Sequence, residues 1–360
     1  MAQPVGGRRA DSLARSDSLQ QSTEERLDVV TLRWGLIGPG RIAAKVAADF
    51  PQVTNGRLEA VASRSRERAE AFAAEHSALA GHPVRAVEGY EALFADPEID
   101  AVYIATPHSD HVRQAVAAIE AGKAVLLEKS FAATLDGARS ITEAAHAHGV
   151  FVMEAMWTRF QPAVQRAKEL IADGAIGEVR AVAADLGVRR EFDAEDRMFA
   201  LELGGGALLD LGVYVVSFAQ HILGAPDRVH AAGSLLSETG VDAEAGILLG
   251  YQDGRSATLQ ISFRLPLPGN ARIYGTEGWI DIPPRFHHPD RLVLHRAGQE
   301  PVTEELPPAG AGYALEFIEV GECLQAGRQE SATMPLADTL VVQAVLQQAA
   351  DQLGVALHDR

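Results

Sequence analysis

Across residues 32–155, short apolar runs alternate with longer stretches in which apolar residues recur every three or four positions, as on one face of a helix. The apolar runs predict strands at residues 32–37, 58–62, 101–105, 124–127 and 150–153. The stretches between them predict helices at residues 41–50, 66–75, 90–95, 109–121 and 134–148. Strands that alternate with helices predict a parallel sheet covered on both faces.

The pattern changes after residue 156. Helical periodicity predicts helices at residues 163–172, 207–223, 313–325 and 336–353. Strand-like runs occupy residues 229–237, 246–251, 256–263, 271–275, 279–282 and 291–294. Asp253-Gly254 and Glu277-Gly278 connect neighbouring runs, as in hairpin turns. Residues 156–360 are therefore predicted to form an α+β domain with a mostly antiparallel, open sheet, and we expect the last helix to pack back on the first domain.

A glycine-rich turn joins the first predicted strand to the first helix. Gly38 and Gly40 fit the pattern G-x-G-x-x-A, in which one glycine permits a tight turn and the other lets backbone approach a pyrophosphate. Arg41 and Ile42 open the helix and would lie beside that anion. The turn predicts that residues 32–155 form a Rossmann dinucleotide-binding domain, giving an α/β fold class; a structural turn without a ligand is the alternative.

The end of the second strand indicates which dinucleotide is bound. An NAD site usually has an acid there, but this chain has Ser63 and Arg64. A hydroxyl and a guanidinium fork suit the 2′-phosphate of NADP, which a carboxylate would repel. We therefore expect NADP, with NAD as the alternative. Ser63 could equally be a helix cap and Arg64 a solvated side chain.

Composition limits the class of protein. The net charge of −17 argues against a nucleic-acid partner, which usually requires a basic face. No uninterrupted apolar run reaches the length of about 18 residues that indicates a membrane span. No Cys and His cluster has the spacing of a zinc site, so no metal is predicted.

Residues 1–31 are rich in Ser, Arg, Gln and Gly and lack apolar periodicity, which predicts a disordered tail. Arg8-Arg9 precedes no apolar segment, so an export signal is not predicted. The single cysteine, Cys323, excludes an intramolecular disulfide framework and favours a cytoplasmic location.

Four motifs stand in order along the chain: the glycine turn, Ala105-Thr106-Pro107 with His111, Glu128-Lys129 after an apolar strand, and Gly204-Gly205-Gly206 leading to Asp210. Together they resemble the Gfo/Idh/MocA oxidoreductase family over residues 32–353. Residues 153–160 and 208–214 most resemble its dimeric dihydrodiol dehydrogenase branch, which includes NADP-linked xylose dehydrogenases. The resemblance implies hydride transfer between the nicotinamide and a hydroxyl or carbonyl carbon of a sugar, polyol or cyclic diol.

The resemblance also implies catalytic residues. It places Lys129 beside the nicotinamide, with Asp210 and Tyr214 spaced i, i+4 on one helix face. Tyr214 would exchange the proton, and a nearby Lys129 would favour phenolate formation. The alternatives are a structural ion pair for Lys129 and a core aromatic role for Tyr214.

Further residues are expected around these three. Thr106, Pro107, His111 and Glu128 would lie on the cofactor side, although His111 could simply begin a helix. Ser130 replaces the proline that usually follows Glu-Lys in the family, which predicts a more flexible loop. Three residues at the domain junction are predicted to contact substrate, with packing as the alternative for the two aromatics: Trp157, Arg159 and Phe160.

Two other functions share this fold: a cofactor-binding sensor without turnover, and a glycoside hydrolase that returns its nicotinamide unchanged. Lys129, Asp210 and Tyr214 together favour turnover on a small-molecule substrate. Apolar residues at alternate positions of 258–263 predict that the sheet of the second domain is buried in a homodimer or higher homo-oligomer.

Overall fold

The computed structural model describes residues 31–360, so residues 1–30 of the predicted disordered tail lie outside the described residues. The first part of the described chain is a six-stranded parallel sheet with the strand order β3-β2-β1-β4-β5-β6. Its strands are β1 (Leu32–Ile37), β2 (Gly56–Ser63), β3 (Arg85–Glu88), β4 (Ala101–Ile104), β5 (Ala124–Glu128) and β6 (Val152–Ala155). Its helices are α1 (Arg41–Asp49), α2 (Arg66–Ala80), α3 (Tyr90–Phe94), α4 (His111–Glu120) and α5 (Leu135–His148). The order reverses between β1 and β4, which opens a crevice at their carboxyl ends.

The rest of the chain forms an eight-stranded sheet with the order β14-β13-β12-β11-β7-β10-β9-β8. Its strands are β7 (Val179–Gly187), β8 (Arg228–Leu235), β9 (Asp242–Gly250), β10 (Ser256–Ser262), β11 (Ala271–Gly275), β12 (Gly278–Ile282), β13 (Arg291–Arg296) and β14 (Val302–Glu305). The helices are α6 (Pro162–Ala172), α7 (Val213–Leu223), α8 (Ala314–Gln325) and α9 (Leu336–Leu353). All neighbouring strands are antiparallel except β7 and β10, so the predicted fold class is confirmed.

Three strands were not predicted from the sequence, each for a physical reason. β3 and β14 are short edge strands whose residues are mostly exposed, so neither shows an apolar alternation. β7 lies in the middle of its sheet but contains three alanines, which have low β propensity. The extended conformation of β7 is therefore determined by its packing between β10 and β11, and not by the local preference of its residues.

The helix predicted at residues 207–223 is not uniform. Leu208–Gly212 forms a π-helical turn, and α7 begins only at Val213. Asp242 accepts a hydrogen bond from the Leu208 backbone N–H at 2.6 Å, at the start of the π turn. Although a π turn has a wider hydrogen-bond spacing than an α-helix, Asp210 and Tyr214 both face the same cavity, in agreement with the expectation that they share one face.

The terminal helices connect the two sheets. In α8, Phe317 packs edge-on against Trp34 of β1, with ring centroids 4.7 Å apart. In α9, the Thr339 hydroxyl lies 3.2 Å from Glu154 of β6, and α9 also contacts α5, α7 and β8. The crevice of the parallel sheet is therefore closed on one side by the second sheet.

One stretch, Leu201–Leu223, is apolar enough to cross a membrane by length and composition, with a mean hydropathy of 1.4. It includes charged Asp210, which interrupts the apolar run. Because 78% of its most apolar window is buried inside the protein, the stretch is better explained as a core helix.

Candidate active site

A cavity of about 1150 Å³ lies where the carboxyl ends of β1, β2, β4 and β5 face the second sheet. Pockets for single small ligands typically measure about 300–1,000 Å³. This cavity therefore has room for a dinucleotide and a second molecule. All predicted cofactor residues except His111 line it: Gly38, Gly40, Arg41, Ile42, Ser63, Arg64, Thr106, Pro107, Glu128 and Lys129.

The glycine turn has the features that a dinucleotide requires. Gly38 has a φ of +78°, and a Cβ there would lie 2.7 Å from the carbonyl oxygen of Ala105. At Gly40, which caps α1, a Cβ would meet no protein atom closer than 3.8 Å. The Thr106 hydroxyl is buried and has no hydrogen-bond partner among residues 31–360. Open space at a helix N-terminus and an orphaned hydroxyl fit a bound pyrophosphate-containing cofactor.

The adenosine end of the cavity carries two arginines. Ser65, rather than Ser63, accepts the capping hydrogen bond of α2 from the backbone N–H of Arg68. The alternative that Ser63 caps this helix is therefore wrong, and Ser63 is buried at the cavity wall. Arg64 and Arg68 line the same wall. Within the described part of the chain, neither guanidinium has an acidic partner within 4.0 Å.

Lys129 lies at the centre of the cavity, at the end of the fully buried strand β5. Its Nζ donates to the Asp210 backbone carbonyl at 2.9 Å and to the Asp210 carboxylate at 3.1 Å. Burial disfavours the charged carboxylate, but Lys129 and Arg197 outweigh that effect and lower the pKa of Asp210 to about 2. The ion pair considered as an alternative for Lys129 exists, and both of its members face the cavity.

Tyr214 lies next to this pair, but not in the predicted protonation state. The Lys129 ammonium is 4.7 Å from the centre of the phenol ring, and its hydrogen bonds go to Asp210. Burial, with the carboxylates of Glu128 and Asp210, raises the pKa of Tyr214 well above 10. The expectation that Lys129 favours phenolate is therefore wrong. At neutral pH Tyr214 is a phenol that can donate a hydrogen bond.

The loop after β5 is held by neighbouring segments, in contrast to the flexibility expected from the missing proline. The Lys129–Ser130 peptide bond is cis. Ser130 is fully buried, and its hydroxyl donates to the Leu209 carbonyl at 2.9 Å. His108 Nε2 lies 3.1 Å from the Lys129 carbonyl oxygen. Glu128 accepts hydrogen bonds from the Tyr103 hydroxyl at 2.5 Å and from the Lys129 backbone N–H at 3.0 Å.

His111 does not reach the cavity, so its prediction as a cofactor ligand is wrong. It begins α4, and its two ring nitrogens each lie 2.9 Å from a carbonyl oxygen, that of Ser130 and that of Thr106. His111 is fully buried and connects the two cofactor loops from behind. His108, which the sequence did not single out, lines the cavity instead.

Of the predicted substrate residues, only Trp157 lines the cavity. Its ring is stacked on Tyr313 with centroids 4.1 Å apart. Arg159 is 1% exposed and is bound to Asp338 at 2.7 Å, and Phe160 packs against the core. The short 3₁₀ helix Trp157–Phe160 turns Arg159 away from the cavity. Substrate contacts for Arg159 and Phe160 are therefore wrong predictions.

Several cavity residues carried no signal in the sequence because they come from loops that packing brings together: Arg190, Arg197, Arg285, His287, His288 and Tyr313. The His287 ring lies 5.0 Å from that of Tyr214. Burial, together with His288 and Lys129, lowers the pKa of His287 to about 3, so its imidazole is neutral at pH 7. His287 and His288 are adjacent in the sequence, but no spacing rule connects this pair to Lys129.

Comparisons with known proteins agree with this geometry. Residues 32–156 match the oxidoreductase family with an NAD-binding Rossmann fold, and residues 164–281 match the GFO/IDH/MocA C-terminal domain. The chain is 34% identical to trans-1,2-dihydrobenzene-1,2-diol dehydrogenase of Mus musculus, over 91% of this chain and 98% of that protein. The Danio rerio protein of the same name is 35% identical, with the same coverage.

Solved structures give the same result. An aldose-aldose oxidoreductase from Caulobacter crescentus is 26% identical, with a TM-score of 0.81 over 90% of this chain and 98% of that one. A 3-ketoreductase from Actinomadura kijaniata, solved with NADP and TDP-benzene, is 25% identical, with a TM-score of 0.78 over 89% and 98%. The fold and site define an NAD(P)-dependent oxidoreductase. The chain belongs to the Gfo/Idh/MocA family.

Proposed function

We propose that this protein is an NADP-dependent reductase or dehydrogenase that acts on a hydroxyl or carbonyl carbon of a sugar, polyol or cyclic diol. The main support is the group of Lys129, Asp210 and Tyr214 at the centre of the dinucleotide cavity. The names of the relatives, a dihydrodiol dehydrogenase and an aldose oxidoreductase, support this substrate class.

The cofactor residues follow from the cavity wall. The turn Gly38–Ile42 would hold the pyrophosphate, with Arg41 beside it, and Ser63 and Arg64 would hold the 2′-phosphate. Thr106, Pro107, Glu128 and Lys129 would border the nicotinamide. When bound, the nicotinamide supplies hydride chemistry. Arg64 favours NADP over NAD, and among the described residues no acid lines the cavity next to Ser63 and Arg64.

Each catalytic side chain has a distinct task. The Lys129 ammonium, held by Asp210, stabilises negative charge that develops on a substrate oxygen. Tyr214, whose pKa lies well above 10, donates a proton to that oxygen rather than removing one. Trp157 and Tyr313 provide an aromatic wall for a ring. A phenol that is protonated at neutral pH can supply the proton that carbonyl reduction requires.

The test is NADPH absorbance across a panel of aldoses, ketoses, polyols and dihydrodiols, with NADH in parallel. We expect net oxidation of NADPH by at least one carbonyl compound and a preference for NADPH over NADH. Cofactor binding without turnover on any compound would contradict the proposal and favour a sensor. Glycoside cleavage with no net change in NADPH would favour the hydrolase.

We also propose a cytoplasmic location, in keeping with the single buried cysteine, Cys323.

We propose further that the protein is a homodimer formed through the second sheet. The apolar residues of β10 that suggested an interface, Leu259 and Ile261, are buried inside this chain. The opposite face, where Thr258, Gln260 and Tyr274 line a groove of about 520 Å³, is the surface available for a second copy. Light scattering at micromolar concentration should give twice the chain mass, and a monomer would contradict the dimer.

A further inference from the structure

The cavity wall carries cations in addition to those assigned to the cofactor. Lys45, Arg190 and Arg285 line it together with His288. Only two acids, Glu128 and Asp210, appear among the described lining residues, and both already accept hydrogen bonds at the centre of the site. The chain as a whole has a net charge of −17. The positive charge of this region is therefore local and opposite to that of the protein.

Arg190 has a side chain positioned without an acidic partner. Its guanidinium carbon lies 5.4 Å from the centre of the Phe263 ring, and its backbone N–H donates to the Phe263 carbonyl at 2.8 Å. The Nε atom is buried and has no hydrogen-bond partner among residues 31–360. A buried guanidinium nitrogen without an acceptor indicates that a ligand supplies one.

The other two cations come from different parts of the fold. Lys45 lies on α1, one turn after Arg41, and Arg285 follows β12. Both line the cavity together with His288, and burial and the two cations lower the pKa of its ring. Across residues 31–360, the ion pairs within 4.0 Å include neither Lys45 nor Arg285. These charges therefore face the cavity without neutralisation.

The cofactor has other cations. Arg64 and Arg68 lie at the 2′-phosphate end, and Arg41 lies beside the pyrophosphate turn. Arg190 follows β7 and Arg285 follows β12, so both belong to the cavity wall that the second sheet contributes. An anion bound there would belong to the second molecule in the cavity.

We propose that the substrate carries a phosphate group, which Lys45, Arg190 and Arg285 bind while the reacting carbon lies at Lys129 and Tyr214. The proposal rests on the oxidoreductase function proposed above and specifies its substrate as a phosphorylated sugar. Phosphate suits this wall better than carboxylate because its additional charge and third oxygen can engage cations from three elements. The neutral diols and aldoses of the relatives' names would leave these charges unpaired.

The first test compares three matched substrates with NADPH: an aldose, its terminal phosphate ester and the corresponding sugar acid, using the glucose and xylose series. We expect kcat/KM for the phosphate ester to exceed that for the parent aldose by at least about tenfold, as for one hydrogen bond to a charged group. Equal values, or a preference for the sugar acid, would overturn the phosphate assignment.

The second test uses Arg285→Gln and Arg190→Gln, with Arg296→Gln as the control. Arg296 is an exposed arginine at the end of β13, outside the cavity. Each cavity variant should lower the ratio of kcat/KM between phosphate ester and aldose by at least about tenfold, and the control should leave the ratio unchanged. Added NaCl should reduce the ratio of the wild type.

Binding measurements separate this inference from the proposed function. Calorimetry of glucose 6-phosphate and xylose 5-phosphate with the NADP-bound protein does not depend on turnover. Tighter binding of these esters than of the parent sugars, weakened at least about tenfold in Arg285→Gln, would support the phosphate site even if no compound is reduced. If the variants weaken NADP binding instead, the cations serve the cofactor and the inference is overturned, while the proposed function stands.

Discussion

The two walls of the cavity are built on different principles. The wall formed by β1, β4 and β5 uses backbone: a turn at Gly38, an open helix start at Gly40 and a loop held by hydrogen bonds from Ser130. The wall formed by the second sheet uses long side chains on loops, such as Arg190 and Arg285. A backbone wall recognises a constant group, which suits a cofactor. A side-chain wall can change with little effect on the fold, which suits a substrate.

The largest effect should come from adding one methyl group to the backbone wall. Gly38→Ala places a Cβ 2.7 Å from the Ala105 carbonyl at a φ of +78°. We expect a stability loss of about 3 kcal/mol from strain and overpacking, and NADP binding weakened by at least about tenfold. Urea unfolding and calorimetry measure the two effects.

Gly81→Ala is the matched control for that change. Gly81 has a φ of +72°, but a Cβ there meets no atom within 4 Å, and the residue lies outside the cavity. We expect about 1 kcal/mol of strain and no change in NADP affinity. Equal effects of the two substitutions would show that the close approach at Gly38 is unimportant.

A second prediction separates residues that support the substrate wall from those that form it. Arg159→Met removes the ion-pair partner of Asp338 and the donor to the buried Ser217 and Gln220 side chains, which should cost about 3 kcal/mol because these polar groups lose their partner. The substrate KM should not change, since Arg159 does not line the cavity. Arg166→Met, which removes a more exposed arginine of α6 paired with Glu304, should cost less than about 1 kcal/mol. A raised KM in Arg159→Met would restore the substrate role predicted from the sequence.

Behind each wall lies a buried carboxyl group whose pKa is raised above its ordinary value. Glu154 accepts a hydrogen bond from the Phe131 backbone N–H next to the Lys129 loop, and burial raises its pKa to about 7. Asp242, which accepts a hydrogen bond from Leu208 below the second wall, likewise has its pKa raised by burial to about 7. In both cases the unfolded chain loses its proton first as pH rises.

The consequence is a stability that declines with pH. For Glu154 the decline begins near the ordinary value of 4.5 and continues to about pH 7, because the native state retains the proton in that window. Glu154→Gln should remove about 2 kcal/mol of this decline in urea unfolding between pH 5 and 7.5. Asp242→Asn should act in the same direction. The exposed Glu143→Gln should leave the pH dependence intact, and an unchanged slope in Glu154→Gln would contradict the raised pKa.

The smallest effect concerns cofactor choice. Arg64→Gln removes a guanidinium without an acidic partner among residues 31–360 and should reduce the preference for NADPH over NADH by about tenfold. Arg66→Gln changes the next arginine along the chain, which is exposed, pairs with Glu70 and does not line the cavity. This control should keep the preference. Similar affinities of the two variants for NADPH would place the 2′-phosphate elsewhere.

The contrast between the walls explains what the sequence could predict. Gly38, Gly40 and Lys129 follow directly from strands whose apolar runs are continuous in the sequence, so local pattern places them correctly. Arg190, Arg285 and His287 come from separate loops, and only the packing of the second sheet brings them together. No local rule contains that information.

The errors at Arg159 and Tyr214 have the same origin. The direction of Arg159 depends on a short 3₁₀ helix, which apolar periodicity does not reveal. The high pKa of Tyr214 reflects burial and the neighbouring carboxylates Glu128 and Asp210. The sequence thus predicts that a site exists more reliably than it predicts the protonation states and side-chain directions at that site, because these depend on tertiary neighbours.

The most direct test of the central claim is a single-turnover measurement of NADPH oxidation by the wild type, Lys129→Met and Tyr214→Phe, with NADPH affinity measured in parallel. Lys123→Met, at a lysine that binds only backbone carbonyls of the described chain, is the control. We predict that both site variants bind NADPH but slow the step by at least about hundredfold, while the control retains the wild-type rate. Wild-type rates in Lys129→Met and Tyr214→Phe would contradict the assignment of the chemistry to this pair.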